Sequence, residues 1–223
     1  MAKVTPATNV SPAAAFDPAF REQLTRLLGC RRDVRHFKRD AVDPVLVERL
    51  LTQAMLAPSV GYSQPWRWVL VEDARLRSAI VTNHELANEE ASKLYSGERA
   101  AEYRALKLAG LREAPVHLAV FADGATATGH GLGRQTMPET LLWSVVMAIY
   151  ALWLSAAAEG LGVGWVSILD ARSVTAALSV PGEWQFVAYL CLGWPEDYAP
   201  KPLLEASGWE SRLAPSALIH RRW

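Results

Sequence analysis

Apolar residues in this chain change their spacing as the sequence advances, and each change marks an element. Phe20, Leu24, Leu27 and Leu28 recur at helical intervals behind Asp17-Pro18, which predicts a helix capped by the aspartate and ending at Gly29. Asp43-Pro44 repeats the start signal, with Val47, Leu50, Leu51, Ala54 and Met55 on one face. Residues 68–71 predict a short strand, and residues 74–95 and 98–112 two charged helices parted near Gly97. Residues 115–121 predict a buried strand. Residues 124–138 form a loop rich in Gly and Thr, long enough for a lid. An apolar helix follows over 141–158, then a strand over 163–168, a short helix capped by Asp170 that runs to Leu178, and a strand over 185–192. From Pro195 onward Pro200, Pro202 and Pro215 forbid long regular structure.

The pattern predicts an α+β class with a single domain over 16–223, preceded by a flexible leader over 1–15 that lacks the apolar core of a signal peptide. The proline-rich arm cannot make a core alone. Wrapping a second subunit would bury its Leu203, Leu204, Trp209 and Trp223. Residues 141–158 approach the length of a membrane span, but Glu139 and Glu159 sit at the ends and no cationic flank sets an orientation. A core or dimer-interface helix is the expectation, and no membrane.

A chain of 223 residues, 51% hydrophobic, can bury a large core. The charges balance at 23 basic and 23 acidic residues with no basic stripe, which argues against a nucleic-acid partner. Cys30 and Cys191 lie far apart without ligand spacing, so neither a disulfide scaffold nor a metal site is expected, and a reducing cytoplasm fits. Gly160, Gly162 and Gly164 follow a helix and enter a strand, the reverse of the dinucleotide fingerprint; they are expected to end the helix and permit close packing. His117 and His130 have no partners at ligand spacing and are expected to be structural or superficial.

Two stretches carry chemistry. In Arg31-Arg32-Asp33-Val34-Arg35 three guanidiniums lie within one or two turns, and arginine suits bidentate phosphate binding. Two readings stay open from the residues alone: an anion cradle containing an acid with its own task, or cations complementing a helix C-terminus, with Asp33 merely ion-paired to Arg32 or Arg35. The second stretch, Ala57-Pro58-Ser59-Val60-Gly61-Tyr62-Ser63-Gln64-Pro65-Trp66, is a loop between helix and strand whose backbone amides can face a planar polar ring. A turn-forming Ser59 is the plainer alternative, and Gln64 and Trp66 are expected to be structural.

The arginine cluster followed by Pro-Ser…Gln-Pro-Trp resembles the nitroreductase superfamily of flavin mononucleotide (FMN) proteins. These motifs, with Leu106-Lys107-Leu108-Ala109-Gly110 and Gly162-Val163-Gly164-Trp165-Val166-Ser167-Ile168, resemble its 5,6-dimethylbenzimidazole synthase branch. The resemblance implies an FMN-dependent nitroreductase-like fold, with a central, mostly antiparallel sheet flanked by helices, in an intertwined homodimer with flavin at the interface. It implies flavin contacts by Arg31, Arg32, Asp33, Val34, Arg35, Pro58, Ser59, Val60, Gly61, Leu108, Ser167 and Ile168, with Asp33 and Ser167 as the catalytic pair. The implied reaction consumes reduced FMN as substrate with dioxygen as co-substrate, a separate flavin reductase supplying the flavin. Alternatives are an NAD(P)H-dependent FMN nitroreductase, a cob(II)yrinate-type corrinoid reductase and a non-catalytic flavin-binding protein. Ordinary nitroreductases tend to carry serine where Asp33 stands. One departure concerns the lid: the branch carries an acidic residue and then Tyr after Met-Pro-Glu-Thr, whereas here Leu141-Leu142-Trp143 follows.

Overall fold

The computed structural model describes residues 16–106 and 108–222. The predicted leader, Lys107 and Trp223 lie outside the described residues.

Strands β1 (Trp66–Leu70), β2 (Val116–Asp123), β3 (Gly162–Val166) and β4 (Trp184–Gly193) form one antiparallel sheet in the order β1-β2-β4-β3. Side chains alternate between its faces, as the pleat requires. Leu118 and Val120 of β2 and Leu190 and Leu192 of β4 pack with α2 (Pro44–Ala54) and α5 (Thr140–Ala158) in one core. Ala119, Phe121, Tyr189 and Cys191 face the other way, toward α3 (Ala74–Ser92) and α6 (Ala171–Leu178). The remaining helices are α1 (Pro18–Cys30), α4 (Gly97–Ala105) and the single turns α7 (Leu203–Ala206) and α8 (Pro215–Leu218).

The aspartate caps form as expected. Asp17, Asp43 and Asp170 accept backbone N–H bonds from the first turns of α1, α2 and α6, and Asp73, which the sequence reading passed over, does the same for α3. The first strand starts at Trp66 rather than 68 and α3 ends at Ser92 rather than 95, and two further boundaries bear on the site. Helix α4 stops at Ala105 rather than 112, because the next segment is held by other parts of the fold: Leu108 gives its carbonyl to Arg35, and a Cβ on Gly110 would lie 2.5 Å from the Phe37 ring. Strand β3 ends at Val166, so Ser167 and Ile168 lie just beyond it, in the turn before α6.

Two helices leave apolar surface uncovered. α1 buries none of its residues, and Phe20, Leu24 and Leu28 stay exposed along one stripe. α5 is long and apolar enough to span a membrane by length and composition. Instead, one face packs into the core, while Trp143 (51% exposed), Met147 (42%) and Tyr150 (43%) line the opposite face at helical spacing. A contiguous patch of this kind marks an interface.

His117 is buried, its Nδ1 3.0 Å from the Tyr189 hydroxyl. Burial, reinforced by Arg77, lowers its pKa to about 4. The unfolded chain therefore binds this proton more readily, and stability falls as pH drops from about 6.5 toward 4, by about 3 kcal/mol for a shift of this size. Asp33, whose pKa is raised, acts in the opposite sense. Denaturant midpoints across this range should therefore fall more steeply for the wild type than for His117→Gln, and parallel curves would refute this account.

Candidate active site

The chain leaves α1 at Arg31 and runs extended along the exposed edge of β3. Val34 N–H donates to the Val163 carbonyl at 3.0 Å, and Lys38 N–H to Trp194 at 2.8 Å. Glycines make this approach possible. A Cβ on Gly164 would sit 2.2 Å from the Val34 carbonyl oxygen, and one on Gly162 would sit 2.5 Å from a Val34 methyl. Gly162 and Gly164 thus permit close packing, while Gly160, at positive φ with open space around it, follows the end of α5.

Each polar side chain of the cluster has a different task. Arg31 lies with its guanidinium carbon 4.8 Å from the centre of the Trp153 ring, and its buried Nε has no partner among the described residues. Arg32 donates instead to four carbonyls: Gly29 (2.8 Å), Arg31 (2.9 Å), Ala199 (3.0 Å) and Pro200 (2.7 Å). Arg35, 15% exposed, bridges the Asp33 carboxylate and the Leu108 carbonyl. The Asp33–Arg35 pairing that the residues left open is therefore formed.

The other oxygen of Asp33 accepts the Trp165 backbone N–H at 3.0 Å. Burial pushes the Asp33 carboxyl above the ordinary carboxylate range, although Arg35 and the Trp165 N–H pull it down. The side chain is still 38% exposed, so a ligand that covered it would raise the pKa further. Two beyond Trp165, Ser167 is exposed, and its hydroxyl makes no hydrogen bond among the described residues. His84 on α3 steadies the turn, its Nδ1–H donating to the Ile168 carbonyl at 2.9 Å.

A hollow flanks each side of this segment. One, of about 190 Å³, is lined by Arg31, Asp33, Arg35 and Leu108 with Leu204 and Arg212 of the arm. The other, of about 210 Å³, lies between Asp33, Arg35 and His36 and the arm residues Asp197, Lys201 and Leu203. A larger hollow of about 410 Å³ beside His117 shares none of these residues. Arg212 and Trp153 escaped the sequence reading. A tryptophan in an apolar helix was a usable signal, since its N–H needs an acceptor; Trp153 donates to the Arg32 carbonyl at 3.0 Å. Nothing marked Arg212.

The loop of Pro58, Ser59, Val60 and Gly61 is strained and tightly held. Gly61, Tyr62 and Gln64 all have positive φ, and a Cβ on Gly61 would lie 2.6 Å from the Leu132 carbonyl oxygen. Ser59 accepts the Gln64 N–H at 3.1 Å, the turn-forming role, while Trp66 is buried in β1. Val60 N–H donates to the Ser144 hydroxyl at 3.0 Å. Ser144 and Trp153 are nine residues apart on α5, hence about 14 Å along its axis and half a turn apart around it. Within one chain, the loop and the arginines therefore sit at opposite ends and on opposite faces of the helix.

A 5,6-dimethylbenzimidazole synthase from Rhodospirillum rubrum is 57% identical over 206 residues, 92% of this chain and 97% of that protein. One from Rhodobacter capsulatus is 46% identical over 198 residues, 89% of this chain and 96% of that protein. Among solved structures, oxidised iodotyrosine deiodinase bound to FMN and 3-iodo-L-tyrosine superposes with a TM-score of 0.70 at 25% identity, over 90% of this chain and 98% of that one. A nitroreductase from Exiguobacterium sibiricum in complex with FMN shares the fold, with a TM-score of 0.65 at 16% identity over 94% of this chain and 99% of that one. Residues 29–194, from the end of α1 ahead of the arginines to just past β4, match the nitroreductase family, and the chain belongs to that family.

Proposed function

We propose that this protein fragments reduced FMN with dioxygen and releases 5,6-dimethylbenzimidazole, the lower ligand base of cobalamin. The observation that carries the reading is the carboxylate at position 33, oriented by the Trp165 N–H, paired with Arg35, raised in pKa and open to a cationic cleft. The two synthases named above, similar over nearly the whole chain, support it.

The residues present fit a phosphorylated flavin. Arg31 offers a buried Nε–H with no partner among the described residues, and Arg212 adds a second guanidinium in the same hollow. The bound reduced flavin would supply the electrons passed to oxygen. Asp33 holds or gives up a proton beside it, its pKa tuned by burial and by Arg35. The Ser167 hydroxyl, unengaged at the end of β3, is the second proton-handling group, and the backbones of Val34, Leu108 and Ile168 shape the ring pocket. Arg32 is better explained by its bonds to carbonyls than by phosphate contact.

The geometry of α5 favours a homodimer. Since one chain cannot bring Pro58, Ser59, Val60 and Gly61 to its own arginines, the loop of a second copy completes the cleft, with the exposed faces of α1 and α5 as the seam. Replacing Met147 or Tyr150 by Lys should therefore give a monomer that has lost flavin affinity; sedimentation of a monomer that still binds flavin would contradict the composite site. A separate reductase would supply the reduced flavin, in a reducing compartment such as the cytoplasm. The test is to mix protein and reduced FMN without oxygen, admit oxygen, and separate the products. Benzimidazole formation is expected; steady NAD(P)H consumption with a nitroaromatic acceptor and no benzimidazole would favour an ordinary nitroreductase.

A further inference from the structure

We infer that Arg32 is a positioning residue that latches the C-terminal strap, residues 199–212, across the flavin cleft. This rests on the flavin reading of the cleft given above. Arg32 borders both hollows beside Arg31 and Asp33, yet its guanidinium nitrogens are taken up by four backbone carbonyls. Nε and one terminal nitrogen grip the Ala199 and Pro200 carbonyls side by side, at 3.0 and 2.7 Å, across 167 and 168 residues of sequence. The other terminal nitrogen ties the same group to Gly29 and Arg31 at the end of α1. Its planar fork suits four fixed carbonyls, and a lysine could not reproduce this pattern.

The strap has few other ties. Its far end is held by Trp209, which meets Tyr95 edge-on at 5.4 Å with Arg99 stacked 4.6 Å above it. Between these anchors lie Leu203, which lines both hollows, and Leu204, both partly exposed. Arg212, just past the second anchor, faces the Arg31 hollow. The Arg32 grip thus sets where the strap's outer wall and its cation stand relative to Arg31 and Asp33.

The test compares Arg32→Ala, Arg32→Lys and Arg212→Ala, singly and as the Arg32→Ala/Arg212→Ala pair. Reduced-FMN affinity is measured without oxygen, and trypsin cleavage after Arg212 is followed wherever that residue remains. If Arg32 acts through the strap, Arg32→Ala and Arg32→Lys both speed cleavage and weaken flavin binding, each by about tenfold for the loss of charge-assisted bonds. Adding Arg212→Ala to Arg32→Ala then costs nothing more, because the strap has already left. If Arg32→Lys keeps wild-type affinity and cleavage, or the two alanine effects multiply, the guanidinium acts on the ligand directly and the latch is wrong. Neither readout needs turnover, so a wild type that yields no benzimidazole would overturn the proposed reaction and leave this result intact.

Discussion

Asp33→Asn should lower benzimidazole formation by about a hundredfold to ten-thousandfold, the usual cost of losing a positioned acid–base group. The amide is nearly isosteric, and its oxygen can still accept the Trp165 N–H, so β3 and the arginine segment should keep their register. What disappears is the exchangeable proton and the ion pair with Arg35. Arg35 would retain the Leu108 carbonyl and become freer to meet an anionic ligand. Reduced-FMN affinity should therefore hold or rise while product formation collapses. Single-turnover product yield measured beside anaerobic titration makes the comparison. Wild-type product rates in Asp33→Asn would reduce the carboxylate to a structural partner of Arg35.

Gly164→Ala should be the most damaging small substitution near the site. The added methyl would lie 2.2 Å from the Val34 carbonyl oxygen, and that obstacle is backbone with no rotamer to yield. Overpacking of this kind typically costs about 1–3 kcal/mol, and a rigid obstacle puts the expected loss at the upper end. The segment must lift from β3, breaking the Val34–Val163 bond and moving Asp33 off the Trp165 N–H. Flavin binding should fall together with thermal stability. Gly29→Ala serves as the control, since a Cβ there meets nothing within 4 Å. Equal melting temperatures for the two variants would show that the contact is easily relieved.

Sequence disclosed most where a local rule had no competitor. Aspartate caps, the apolar strands and the apolar helix needed only their own neighbours, and they stand close to where spacing placed them. Helix α4 was overread because residues 106–112 include good helix formers, while what unwinds them is Arg35 and Phe37, some seventy residues earlier. Arg32 illustrates the same limit: three arginines within five residues look equivalent until the carbonyls of Ala199 and Pro200 single one out. The loop of Pro58 to Gly61 was legible as a motif, but its distance from the arginines depends on which ends and faces of α5 each one meets.

That placement has a further consequence for a dimer built as proposed. Each α5 would touch one pocket through Trp153 and the other through Ser144, so the two flavins are joined by nine residues of unbroken helix. A shift of Trp153 on phosphate capture in one pocket would be felt as a rotation at the Val60 loop of its neighbour, and the pockets need not fill independently. The same nine residues would resist length change over evolution. One residue inserted between Ser144 and Trp153 would swing the tryptophan by about 100° and uncouple both pockets at once.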